Sequence, residues 1–237
     1  RTSSAASDVY KRQAYISIGW RGAVRVSGAG KIPLDQGVVD QLNVSRETID
    51  QLTLYLALLE KWQPRINLVS SSTLADAWRR HVLDSAQLAS FLPENGAHIL
   101  DIGSGAGFPG LVLSIITGNS LTLVESDQRK TVFLQTVIRE LGLTASVKNA
   151  RIEVIPTLGA DIVTVRALAS VERLLKLLER QLPSVERCLF LKGASLQEEL
   201  TVLQSYPTIE HCIYPSVTSE DGAVLELDTS RHPNTEL

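Results

Sequence analysis

The chain has 237 residues, 44% of them hydrophobic and 21% charged, which fits one α/β domain with a sizeable core and a modest extension. The longest apolar runs, such as residues 110–116, are far too short to span a bilayer, and no basic start leads through an apolar stretch to a small-residue cleavage site, so neither a membrane helix nor a secretory signal is predicted. A net charge of −3 excludes a uniformly basic nucleic-acid coat and leaves any RNA recognition to local patches.

The sequence contains no methionine, and residues 1–13, RTSSAASDVYKRQ, have no hydrophobic period and look like adapter read-through. The stretch to Gly37 is rich in Gly and Ser. Roughly residues 1–40 are therefore expected to be a non-native or disordered leader. From Ser45 a helix is predicted: Ser45 caps it, Ile49, Leu52, Leu56 and Leu59 form an apolar stripe, and Pro64 ends it near Trp62. Thr73-Leu-Ala-Asp76 reads as a capping box for a second helix with apolar face Leu74, Trp78, Val82, Leu88, closed by Pro93. Residues 41–93 are thus expected to form a helical cap, with Trp62 and Trp78 in its core.

The rhythm then changes. A buried strand over 97–102 leads through a Gly-rich turn into a helix from Pro109. A strand over 121–125 precedes a helix capped by Asp127 and stopped by Gly142. Strands follow over 145–148 and 161–165, then a Leu-rich helix over 171–182, a strand over 187–191 and a helix from Ser195. Residues 209–214 and 223–227 read as a closing hairpin that turns near 220–222. This alternation implies a mostly parallel seven-stranded sheet over residues 94–228 with helices on both faces, and a tail over 229–237. Ligands of such sheets sit beyond the carboxyl ends of the strands, at the switch point.

The chemistry concentrates in Asp101-Ile-Gly103-Ser-Gly105-Ala-Gly107-Phe-Pro-Gly110, between a strand and a helix. Glycines there let the backbone turn tightly and approach a ligand, and the helix start offers free N–H groups to a carboxylate or phosphate. Gly105-x-Gly107-x-x-Gly110 matches the dinucleotide fingerprint literally. Against that reading, a carboxylate at Asp101 would repel a pyrophosphate but can hold the amino group of a methionine moiety. Glu125 ends the next strand and can accept ribose hydroxyls in either case, so it does not by itself decide between NAD and S-adenosylmethionine. The D-x-G-x-G-x-G arrangement is similar to motif I of Rossmann-like class I methyltransferases, which favours S-adenosylmethionine.

A narrower resemblance runs over residues 49–227. Its marks are Lys61-Trp62 with Asn67-Leu68, Arg80-His81 with Leu83-Asp84-Ser85, the loop with Phe108-Pro109-Gly110, and Glu125-Ser126 with Arg129-Lys130. Arg151-Ile152-Glu153, Arg166-Ala167-Leu168-Ala169-Ser170 and Leu191-Lys192-Gly193 complete the set. Each piece is weak alone; their joint order and spacing is specific. The sequence resembles the ribosomal RNA small-subunit methyltransferase G family, also called glucose-inhibited division protein B. The resemblance implies transfer of a methyl group from S-adenosylmethionine to guanine N7 of 16S ribosomal RNA, within the small ribosomal subunit or its precursor. It implies cofactor contacts at Gly103, Phe108, Ile152, Glu153 and Arg166, which Asp101, Gly105, Gly107 and Glu125 join on the argument above.

Guanine N7 carries an in-plane lone pair, so the expected mechanism is alignment without a general base, where proximity and orientation contribute about 7–11 kcal/mol. Arg166 and Lys192, at strand ends, are the candidates for positioning the substrate; the bland alternatives are an ion pair of Arg166 with Glu172 or Asp161 and a solvated strand end for Lys192. Asn67, Arg80, His81, Arg129 and Lys130 are candidate RNA contacts, against turn, packing and solvated-face roles. The basic stripe Arg173, Lys176, Arg180 reads as a plain exposed face. Asp84 is expected to pair with Arg80 at helical spacing. His98, His211 and His232 read as structural or exposed, and no metal is expected. Cys188 and Cys212 read as reduced core residues of a monomeric cytoplasmic protein.

Overall fold

The computed structural model describes residues 32–93 and 96–231. Most of the expected leader, and His232 in the tail, lie outside them. Residues 36–40, set aside with that leader, open a helix instead: α1 spans Gln36–Leu42, capped by Asp35, whose carboxylate accepts the Val38 N–H at 3.1 Å. Val38 and Leu42 lie one turn apart and are both buried, which explains why this short helix docks.

Helix α2 spans Arg46–Trp62 and follows the sequence pattern closely. Ser45 accepts the Thr48 N–H, Glu47 and Lys61 sit at the ends that favour their charges, and Leu52, Tyr55, Leu56 and Leu59 are buried. Gln63 then pins the following loop, accepting from the Leu68 and Val69 N–H groups and donating to the Val69 carbonyl. The second cap helix is not the regular element that the capping box announced. Helix α3 covers Ser71–Leu74 after Ser70, which makes no side-chain cap. A π turn, Trp78–Leu83, follows, then a single turn α4, Asp84–Ala86, and a 3-10 turn, Gln87–Phe91. In the π turn the Asp84 N–H reaches the Arg79 carbonyl five residues back, so the chain turns wider than 3.6 residues.

The sheet has the order β3-β2-β1-β4-β5-β7-β6. Its strands are β1 His98–Ile102, β2 Ser120–Val124, β3 Ala145–Lys148, β4 Ile162–Arg166, β5 Arg187–Lys192, β6 Glu210–Pro215 and β7 Ala223–Asp228. All neighbours pair in parallel except β7, which runs antiparallel to both β5 and β6. Between them lie α5 Gly110–Thr117, α6 Gln128–Leu141, α7 Val171–Leu178 and α8 Leu196–Glu199. The crossovers from β1 to β3 travel one way and those from β4 to β5 the other, so the order switches between β1 and β4.

Two apolar cores sandwich the sheet. One joins α5, α6 and the cap; the other joins α7, the 3-10 turn Ile152–Val154 and β7. Helix α5 is apolar all round, as a helix buried between cap and sheet must be. Its Leu111, Val112 and Leu113 are fully buried, each contributing about 1.5–3 kcal/mol. Trp78 is buried in the cap, and Trp62 packs edge-on against Phe133 of α6. Cys188 is a buried core thiol that burial pushes up to about 12, whereas Cys212 is exposed on the edge strand β6 rather than in the core. His98 bonds Thr122 across β1 and β2, and His211 is exposed.

Candidate active site

The carboxyl end of β1 delivers Asp101 beneath the glycine turn. Its Oδ1 accepts the Thr164 hydroxyl from β4 at 2.9 Å, and its Oδ2 is buried without a hydrogen-bond partner. Burial pushes this carboxyl up to about 7, against hydrogen bonds that favour the charged form. Gly110 leaves it room: a Cβ there would stand 2.8 Å from the Asp101 Cβ and 3.1 Å from Oδ2. Gly103, Gly105 and Gly107 all hold positive φ, of 64°, 56° and 94°, so the turn needs glycine for its path. A Cβ on Gly103 would also come 2.7 Å from Leu168 of the loop after β4. Tyr55 of α2 ties the turn to the cap by donating to the Ala106 carbonyl at 2.5 Å.

Glu125 follows β2 on the other side of the turn. Its Oε2 accepts the Gly105 N–H at 2.9 Å and its Oε1 the Asp127 N–H at 2.7 Å, while Asn149 donates to its backbone carbonyl. The two acids therefore end adjacent parallel strands with the glycine turn between them. Ile152 is buried in the same apolar core as Ile102 and Val124, and its neighbour Glu153 is exposed.

Phe108 gathers the third group of side chains. His81 of the cap stacks on it at 4.9 Å and 22°, Tyr55 lies 5.1 Å away, and the Arg166 guanidinium carbon sits 5.9 Å from its ring centre. Arg166 ends β4 and pairs with Asp84 at 3.3 Å, not with Glu172 or Asp161. The expected Asp84–Arg80 pair is accordingly absent: Arg80 is exposed and well solvated, whereas the largely buried Arg166 needs a carboxylate. Sequence reasoning missed Tyr55 and Thr164, which reach this site from remote stretches of chain, and Thr73, which meets His81 across the irregular cap turns.

Lys192, at the end of β5, is held by Glu199 at 2.6 Å and donates to the Ala169 carbonyl at 2.9 Å. Glu199 also accepts the Val171 N–H and the Ser195 hydroxyl. The pair thus ties the loop after β4 to β5. The remaining candidates lie in other surroundings. Asn67 is exposed after α2 and accepts weakly from Gln63; Arg129 is exposed and pairs with Asp127; Lys130 is half-buried in the first turn of α6. Lys176 of the α7 stripe pairs with Glu172. Among the described residues no group of three His, Cys, Asp or Glu side chains is placed to hold a metal ion.

Comparisons with known proteins bear on the family and the fold. The family model described as rRNA small subunit methyltransferase G matches residues 48–226. A relative from Paramagnetospirillum magneticum, named ribosomal RNA small subunit methyltransferase G, is 47% identical over 184 residues, covering 78% of this chain and 90% of its own length. One of the same name from Cereibacter sphaeroides is 42% identical over 204 residues, covering 84% and 99%. Among solved structures, the magnesium protoporphyrin IX methyltransferase of Synechocystis PCC 6803 superposes with a TM-score of 0.57 at 11% identity, over 78% of this chain and 97% of that one. At that identity the likeness is one of fold, the Rossmann-like methyltransferase architecture. With a family model spanning most of its length and relatives this similar, the chain belongs to the rRNA small subunit methyltransferase G family.

Proposed function

We propose that the chain transfers the methyl group of S-adenosylmethionine to N7 of a guanine in 16S ribosomal RNA, within the small ribosomal subunit or its precursor. The observation that carries this reading is the pair Asp101 and Glu125, flanking a glycine turn at the end of two adjacent parallel strands. The names of the relatives support the class of RNA, and the resemblance supports guanine N7. No helix among the described residues is long and apolar enough to cross a membrane. A monomer acting in the cytoplasm is part of the proposal.

The residues fit this cofactor. Asp101 Oδ2 is a buried acceptor without a donor, the partner that the ammonium of a methionine moiety requires. Glu125 keeps lone pairs beyond those used by the two backbone N–H groups, enough for ribose hydroxyls. Phe108 offers an apolar ring, and Ile152 an apolar wall. The same orphan carboxylate disfavours NAD, whose pyrophosphate would meet it across the turn. When bound, the cofactor supplies a methyl group already activated by a sulfonium charge.

The protein's own task is then to orient. Guanine N7 needs no proton removed, so the transfer asks for no general base, and His81 is not one. His81 is held unprotonated down to about 3 by burial and by the charges of Arg166 and Arg80. Its Nδ1 is occupied by Arg166 and its Nε2 by Thr73. Arg166 is the group placed to orient a reactant, Lys192 acts by holding the neighbouring loop, and Asn67, Arg80, Arg129 and Lys130 are the proposed contacts to RNA phosphates.

The test is transfer from labelled S-adenosylmethionine to small subunits that lack the modification, followed by digestion to nucleosides. Label in 7-methylguanosine of 16S RNA is expected. Label in another nucleoside or another RNA would overturn the substrate and leave the cofactor.

A further inference from the structure

Arg166 is held by three groups of the cap. Its Nε lies against Asp84 Oδ2 at 3.3 Å, and its Nη2 donates to the Arg80 carbonyl at 2.7 Å and to His81 Nδ1 at 3.0 Å. The two Nη2 bonds use both of that nitrogen's hydrogens, and Asp84 holds the Nε side as an ion pair. The remaining nitrogen, Nη1, is buried without a partner. A buried donor left unpaired is costly, and folded proteins rarely tolerate one except where function uses it.

The grip itself is fully specified. A guanidinium can only donate, so His81 Nδ1 must be the acceptor and the imidazole proton must sit on Nε2. Nε2 then donates to the Thr73 hydroxyl at 2.9 Å, and Thr73 donates to the Ser70 carbonyl at 2.8 Å. Asp84 is fixed just as firmly. Its Oδ1 accepts from Thr218 at 2.6 Å and from Gln87 at 3.0 Å, which leaves Oδ2 for the arginine. Gln87 in turn accepts the Val217 N–H, so the turn between β6 and β7 braces the same group.

We propose that His81 and Asp84 of the N-terminal cap are positioning residues for the methyl transfer, holding the Arg166 guanidinium so that Nη1 serves an oxygen acceptor on a bound reactant. The inference rests on the methyl transfer proposed for this pocket. A carboxylate of the cofactor and the O6 of guanine share that acceptor chemistry. The cap is thereby part of the active site and not only a cover for α5. An unprotonated imidazole suits the place, because a cation there would repel Arg166 and a smaller acceptor would lose the stack on Phe108.

Two variants separate the acceptor from the ring. His81→Phe keeps an aromatic face on Phe108 and removes the acceptor. His81→Asn places an amide oxygen near the former Nδ1 and removes the ring. Each full-length protein is measured for melting temperature, kcat and KM on unmodified small subunits, S-adenosylhomocysteine affinity by calorimetry, and the ¹⁵N resonance of Arg166 Nε.

His81→Phe is expected to fold, to move the Arg166 resonance and to lose about 10- to 100-fold in kcat or in affinity for S-adenosylhomocysteine. His81→Asn is expected to restore most of that loss. A parallel loss of S-adenosylhomocysteine binding puts the acceptor on the cofactor; unchanged binding with a lower kcat puts it on the guanine. Equal behaviour of the Phe and Asn variants, whether both active or both impaired, overturns the proposal. Should His81→Phe fail to fold, Asp84→Asn carries the same readouts, and wild-type rates from it overturn the proposal. If the wild-type protein neither binds the cofactor product nor methylates, the proposed function fails instead. The histidine ¹⁵N shifts still test the grip in that case, and a proton on His81 Nδ1 refutes it.

Discussion

In the role proposed for Asp101, protonation and capture of the cofactor's ammonium compete for one carboxylate. Burial holds Asp101 near 7 in the free protein. A bound ammonium favours the charged form and pulls that value down. With a free-state value of about 7, roughly one molecule in eleven is ionised at pH 6 and roughly ten in eleven at pH 8. Affinity for S-adenosylhomocysteine should therefore be about tenfold weaker at pH 6 than at pH 8. Calorimetry at both pH values, in two buffers of different ionisation enthalpy, reads the affinity and the proton release together. Nearly one proton should leave per ligand bound at pH 6. Asp101→Asn should flatten the pH dependence and weaken binding at pH 8 by about 10- to 100-fold, the worth of a charged hydrogen bond. A wild-type affinity independent of pH, or the same slope in the Asn variant, would refute the assigned role. The stability of the free protein carries the opposite sign. The folded state binds more protons than the unfolded one between the ordinary value of 3.8 and about 7, so Asp101 lowers stability as pH rises through that window.

Gly110→Ala would press a methyl group onto the Asp101 carboxylate at a position with ordinary helical backbone, so it should cost about 1–3 kcal/mol in denaturant unfolding and weaken S-adenosylhomocysteine binding together. Tyr55→Phe removes the bond to the Ala106 carbonyl and should cost about 1–3 kcal/mol, read as a fall in the unfolding midpoint with the slope unchanged. Iodoacetamide should label Cys212 alone in the native protein and both cysteines after unfolding; labelling of native Cys188 would show that β5 is less well buried than described. Lys192→Ala and Glu199→Ala should each slow methyl transfer, and the double variant should be no slower than either single one, because both act by holding the loop at Ala169 and Val171. Additive losses would instead give Lys192 a contact of its own.

The parts of the site that sequence makes legible are those encoded within one strand–turn–helix unit. Asp101, the glycines and the start of α5 lie within ten residues, and steric demands on that stretch leave few other backbone paths. Glu125 is legible for the same reason, as the end of the next strand. The cap is the opposite case. Leu74, Trp78, Val82 and Leu88 announce one regular helix, but the stretch alternates α, π and 3-10 turns, with Trp78, His81, Val82 and Leu83 all buried. Periodicity assumes a constant 3.6 residues per turn and cannot register a wide turn that tertiary packing selects. The partner of Asp84 is hidden by the same logic: a helical count points to Arg80, whereas the low-dielectric neighbourhood of Arg166 decides the pairing across 82 residues of chain. Helix α1 was masked by the biased composition that precedes it, and Cys212 by a burial preference that an edge strand does not honour.

A crystal structure of the chain with S-adenosylhomocysteine tests the central claim most directly. It should show the ligand's amine within hydrogen-bond distance of Asp101 and its ribose hydroxyls on Glu125, with the sulfur facing the end of β4. Density for the ligand elsewhere, or a ribose turned away from Glu125, would contradict the assignment of this crevice.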